Sequence, residues 1–140
     1  MSKLERFIKA QENSFERALS EIENGKKVTH WMWYIFPQIK GLGKSYNSLY
    51  YGIDSKMEAS IYLSHEVLGP NLQICVEALL THADRTAHEM LGWGDSMKLK
   101  SSMTLFNEVS NEECFEKVLG TFFNGEKCDR TLALILVAEF

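Results

Sequence analysis

Apolar positions along this chain recur at helical spacing, and charged residues fill the positions between them. Leu4, Phe7, Ile8, Gln11, Phe15, Ala18, Leu19 and Ile22 line one face of a strongly amphipathic helix, and Asn24-Gly25 supplies its stop. Ser55-Lys56-Met57-Glu58 has the pattern of a capping box and opens a helix that runs to about Ser64. The chain bends from His65 to Leu68. Pro70 then belongs to the first turn of a helix reaching about His82, with Leu72, Cys75, Val76, Leu79 and Leu80 inward. Asp84 is placed to cap a short helix ending at Gly92. Gly94-Asp95 begins the next, with Leu99, Ser102, Met103, Phe106 and Val109 as its inner stripe. Ser110 to Glu113 resembles a second capping box. Phe115, Val118, Leu119, Phe122 and Phe123 follow it, and Asn124-Gly125 ends that helix. Asp129 can cap a last helix carrying Leu132, Ile135 and Leu136, and Val137 to Phe140 has the character of a frayed end. The pattern predicts an all-α fold, a single compact domain of about seven or eight short helices.

One stretch does not declare its period. Val28 to Phe36 is apolar or aromatic at nearly every position, and so short a run fits a buried strand or a buried helix equally. No second strand candidate exists to pair with it, so a helix or extended segment ending at Phe36, before Pro37, is the better expectation. On that expectation the run is the buried axis of the domain. Gly41-Leu42-Gly43-Lys44-Ser45 follows as a loop with two positions free to take positive φ. It lacks the GxxxxGK[ST] spacing of a phosphate-binding loop, although its backbone amides could form a small anion nest. Tyr46 to Tyr51 makes about one helical turn, stopped by Gly52.

Composition narrows the function classes. The 140 residues suit one domain over positions 1–140, and 45% hydrophobic and 11% aromatic content suits a packed core rather than disorder. Net charge is -4 with acids and bases interleaved, and the absence of a basic block disfavours nucleic acid as a partner. Cys75, Cys114 and Cys128 form no metal-binding or disulfide spacing, and no run is long and apolar enough to span a membrane. The expectation is a cytoplasmic protein with reduced thiols. The histidines His82 and His88 do not fall at ligand spacing on one helix, so no metal and no cofactor is expected.

Three groups of residues could carry chemistry. His30, at the mouth of the aromatic run, could carry a proton or donate to a ligand, against the plainer alternative of a half-buried histidine bonded to a carbonyl. Trp31 and Trp33 would lie ~200° apart on a helix, which lets one face the core and the other a cleft where it could stack on a planar ligand. Lys98, Lys100, Ser101, Ser102 and Thr104 cluster on the Asp95 helix, with Lys98 and Ser101 or Ser102 one turn apart on a face that could favour an anion. Their order is not the SxxK of serine amidases. His65 follows the Ser55 helix and is placed to favour its C-terminus.

The blocks H-W-M-W-Y-I-F-P-Q-I-K-G-L-G-K-S at 30–45, Y-G-I at 51–53, E-A-S-I-Y-L-S-H at 58–65, L-G-P-N-L at 68–72 and K-L-K-S-S-M-T-L-F at 98–106 together resemble the DUF1810 family across nearly the whole chain. The resemblance implies a mainly α-helical single domain and carries no catalytic residues with it. Asn71 stands where the family pattern leads one to expect a small or basic residue. The W-x-x-x-x-K…F arrangement from Trp93 to Phe106 is faintly similar to NADAR-type N-glycosidases, too faintly to support an enzyme assignment.

The polar and aromatic signature residues lie on separate predicted helices, and convergence would make them one small-molecule site. The candidate ligand-binding set is His30, Trp31, Trp33, Gln38, Gly41, Gly43, Lys44, Ser45, Tyr51, His65, Lys98, Ser101 and Ser102. A nucleotide or ADP-ribose-like ligand would suit aromatic stacking beside a lysine and backbone amides. The alternative is an interaction or dimerisation module without catalysis, in which the aromatic run is a core wedge and a binding patch. Nothing in the residues sets the oligomeric state.

Overall fold

The structure is a computed structural model that describes residues 4–138. Nine helices appear among them: α1 (Glu5–Glu23), α2 (Met32–Ile35), α3 (Tyr46–Tyr50), α4 (Lys56–Ser64), α5 (Leu68–Leu80), α6 (Ala87–Leu91), α7 (Trp93–Val109), α8 (Glu113–Phe123) and α9 (Asp129–Ala138). No strand forms among the described residues, and a single parallel bridge joins Ile39 to Ile53. Glu139 and Phe140, the end of the segment expected to fray, lie outside the described residues, whereas Val137 and Ala138 continue α9.

The axis of the domain is α7, not the aromatic run. α7 packs against α2, α4, α6, α8 and α9. Every residue from Ser101 to Phe106 is buried, so this part of the helix is enclosed on all sides. Ser101 and Thr104 return their hydroxyls to carbonyls one turn back, at Met97 and Lys100. The aromatic run instead folds into the one-turn helix α2, flanked by core residues Trp31 and Phe36. Periodicity could not separate these cases, because α7 alternates small hydroxyls with large apolar residues while the aromatic run is uniformly large.

The helix ends refine the expected caps. Ser55 accepts the Glu58 N–H as anticipated, but the Glu58 carboxylate takes the N–H of Asp54 rather than of Ser55. The reciprocal capping box belongs to Thr86 and Glu89, so Thr86 rather than Asp84 starts α6. Ser110 accepts the Glu112 N–H, and α8 begins only at Glu113. The His65 ring serves the next helix rather than the end of α4. Its Nδ1 accepts the N–H groups of Val67 and Leu68, so the ring serves the opening of α5. His82 does for α1 what His65 was expected to do for α4: its Nε2 hydrogen-bonds the carbonyls of Ile22 and Glu23.

One buried carboxylate organises the turn after α1. Glu21 accepts from the N–H groups of Val28 and Thr29, from the Thr29 hydroxyl and from the Trp31 indole. Burial opposes its charge, but these four donors outweigh burial and lower its pKa to about 2.

Candidate functional site

A cleft of about 500 Å³ opens where α7, the start of α9 and the 38–52 segment meet. Met97, Lys98, Lys100 and Ser101 enter it from α7, where Met97 stands three and four residues before Lys100 and Ser101 and Lys98 three before Ser101, so that they share a face. The opposite wall is Gln38, Ile39, Leu42, Gly43, Tyr51 and Gly52, with Trp33 at one end. Lys127, Cys128, Asp129 and Arg130 close the third side.

The 38–52 wall is held from two directions. Lys40 N–H donates to the Ile53 carbonyl and Ile53 N–H to the Gln38 carbonyl, both at 2.8 Å, which ties the two ends of the loop together. From α1, Arg6 reaches across to donate to the carbonyls of Tyr50 at 2.7 Å and Gly52 at 2.9 Å. Gly52 allows this closeness: a Cβ there would meet the Ser48 carbonyl oxygen at 2.8 Å and the Lys40 Cα at 2.9 Å.

Four cations against one acid line the cleft in a chain whose net charge is -4. Lys98 is held in place twice, by Asp95 at 2.9 Å and by the face of the Trp33 ring at 4.4 Å. Lys100 and Lys127 pair with Glu126 and Glu108. Burial raises the pKa of Asp95, but the hydrogen bonds and charges of Lys27 and Lys98 prevail and hold it below the usual carboxylate range. Tyr51 is pushed up, first by burial and then by Tyr50, Tyr34 and Tyr46, so its phenol is a neutral hydrogen-bonding group.

Of the residues expected from sequence, Trp33, Gln38, Gly43, Tyr51, Lys98 and Ser101 line this cleft. The others lie elsewhere. Trp31 is a core side chain, 1% exposed. His30 is exposed, and its carbonyl accepts the Tyr34 hydroxyl. Ser45 spends its hydroxyl capping α3, and Lys44 is on the surface. Gly41 sits against the Leu134 side chain. His65 opens α5, and Ser102 is fully buried. The residues not anticipated are concentrated at 127–130. A cysteine between Lys127 and the predicted helix start at Asp129 was the available signal. Among the described residues no group of three histidine, cysteine or acidic side chains could hold a metal, and no helix is long and apolar enough to cross a membrane.

The molecule is thus a single-domain, all-helical protein with a cationic, aromatic-walled cleft beside its central helix. The chain belongs to the DUF1810 family, whose model, described as "Protein of unknown function (DUF1810)", matches residues 1–135. It is similar to the crystal structure of the conserved hypothetical protein Rv1873 from Mycobacterium tuberculosis, at 39% identity over 95% of this chain and 96% of that one, with a TM-score of 0.93. No curated protein matches.

Proposed function

We propose that the protein binds a small anionic ligand with a planar ring, of the nucleotide or ADP-ribose class, in the cleft between α7 and the start of α9. The observation that carries this reading is the meeting of Trp33 and Tyr51 with Lys98, Lys100, Lys127 and Arg130 around one cavity. A cavity of about 500 Å³ is within the usual range for small-molecule sites. The aromatic wall supplies stacking surface, worth ~1–3 kcal/mol per base in single-stranded nucleic-acid sites. The cations supply the anion preference that the chain's net charge would otherwise oppose. Calorimetric titration with AMP, ADP and ADP-ribose, against adenosine as the uncharged control, tests it. Binding of the phosphorylated ligands, weakened by salt and by Arg130→Ala or Trp33→Ala, is the expected result. No heat from any of them overturns the reading.

A second reading, a protein-docking role, has one observation in its favour. Tyr46 and Tyr50 stack at 5.5 Å on the surface of α3, with Leu49 exposed beside them. Sedimentation of the wild type and of Tyr46→Ser/Tyr50→Ser tests for self-association through that face. One monomeric species for both excludes a homodimer there.

A further inference from the structure

Ligand binding as proposed leaves one side chain of the cleft without a part, the thiol of Cys128. The chain's free thiols are Cys75, Cys114 and Cys128, and their surroundings differ. Cys75 is in the core, where burial pushes its thiol up to about 12. Cys114 is raised as well, first by burial and then by the charges of Glu112 and Glu77. Cys128 goes the other way. Burial raises it, but hydrogen bonds from the Ser101 and Thr131 hydroxyls and from the backbone N–H groups of Thr131 and Arg130 outweigh burial and lower it.

The geometry explains the difference. Cys128 stands immediately before Asp129, the first residue of α9, and its carbonyl accepts the Leu132 N–H. The sulfur therefore takes the place of a cap oxygen, facing first-turn N–H groups that have no acceptor within the helix. Ser101, one of the α7 residues in the cleft, places its hydroxyl 3.4 Å from the sulfur. That hydroxyl also lies 3.1 Å from the Met97 carbonyl. Its single hydrogen can serve only one of the two acceptors at a time. Thr131 is fully buried, and its hydroxyl, beside the sulfur, makes no hydrogen bond of good geometry. Thr104, also on α7, accepts the Cys128 N–H at 2.9 Å, so the sulfur is fixed by the contact of two helices rather than by a loose loop.

We propose that Cys128 is a reactive thiol that exchanges with anionic disulfides admitted by the cationic cleft. The Cys128 thiolate attacks one sulfur of the disulfide. A new S–S bond forms as the old one breaks, and the other half leaves as a thiolate, so Cys128 is oxidised and the incoming disulfide reduced with no further reagent. Lys98, Lys100, Lys127 and Arg130 favour an acid-bearing disulfide over a basic one, against Asp129 in the lining and the carboxylates of Asp95, Glu126 and Glu108 that pair with the three lysines. The inference rests on the same cationic lining as the ligand-binding reading, but not on the identity of that ligand.

Timed quenching followed by intact-mass and peptide analysis, with dianionic 5,5′-dithiobis(2-nitrobenzoate) and dicationic cystamine, reads the exchange at each thiol. Cys128 is expected to react first, roughly tenfold or more ahead of Cys114 at neutral pH, and to favour the dianion over the dication by more than the neutral thiol 2-mercaptoethanol does, since that reference removes the difference between the two leaving groups. Added salt narrows that preference. Ser101→Ala slows the exchange, and Cys128→Ser abolishes the fast phase in a protein whose circular dichroism and melting remain those of the wild type. If Cys128 reacts no faster than Cys114, or its preference for the dianion over cystamine is no larger than that of the neutral thiol 2-mercaptoethanol, the proposal fails. Protection by ADP-ribose separates the two readings. A fast phase that ADP-ribose does not slow upholds the thiol and counts against the nucleotide, whereas calorimetric binding without a fast phase does the reverse.

Discussion

Trp31 and Trp33, next-but-one neighbours in sequence, face opposite worlds. The Trp31 indole N–H donates to Glu21 at 2.8 Å in the core, while the Trp33 ring lies half-buried at the cleft with Lys98 4.4 Å above it. Asp95 connects the two environments, because it pairs with Lys98 and also with Lys27, whose ammonium lies 5.2 Å from the Trp31 ring. The two tryptophans therefore give different results when removed. Trp31→Ala is expected to cost ~3–5 kcal/mol of stability, the range for a large core side chain. Trp33→Ala is expected to cost about 1 kcal/mol while weakening any ligand in the cleft. Urea unfolding of each variant, beside titration of the second, checks both expectations.

Glu21 sets an acid limit on the fold. Its folded pKa of about 2 lies below the ordinary value of 4.5, so between those values the unfolded chain binds the proton that the folded one excludes. The stabilisation is therefore fully present above pH 4.5 and is lost as pH falls toward 2. Glu21→Gln keeps the shape but replaces the charged acceptor. It is expected to lower the melting temperature at pH 7 and to flatten the decline on acidification. Melting curves across that window, with a variant slope equal to the wild type's, would count against the assignment.

Asp95 neutralises a lysine with little access to water. The Lys27 side chain is only 9% exposed, and Asp95 is its ion-pair partner at 2.8 Å. Asp95→Ala is expected to destabilise by ~2 kcal/mol, below the full cost of an unpaired buried charge because the carboxylate itself is partly solvated. Lys27→Met in the same chain should recover part of that loss. A double-mutant cycle in urea measures it, and strictly additive effects would refute the coupling.

Gly69 marks a close approach of α5 to the end of α4. A Cβ there would collide with the Leu63 backbone carbonyl, which has no side-chain freedom to yield. Gly69→Ala should therefore destabilise by ~1–3 kcal/mol, although alanine is the better helix former. Unchanged thermal stability would show that α4 and α5 can separate at no cost.

How much of this was legible in the residues follows from what periodicity measures. The stripe of α1, the caps at Ser55 and Asn124, and the all-helical class are local properties, written in spacings of three and four residues. The burial of α7 on every side was not legible, because enclosure depends on five neighbours that sequence does not order. The same holds within the cleft. Lys98 and Ser101 announced themselves by sharing a helix face, and Trp33 by its aromatic setting. Cys128 became notable only when α9 was laid against α7, bringing its sulfur to Ser101 and its N–H to Thr104. Glu21 followed the same logic: an acid on an amphipathic helix reads as surface until the turn after it folds back four donors. Sequence by itself determined the helices and the family. Tertiary packing decided which tryptophan meets the cleft, which helix is the axis and where the charges gather, since those depend on contacts between residues far apart along the chain.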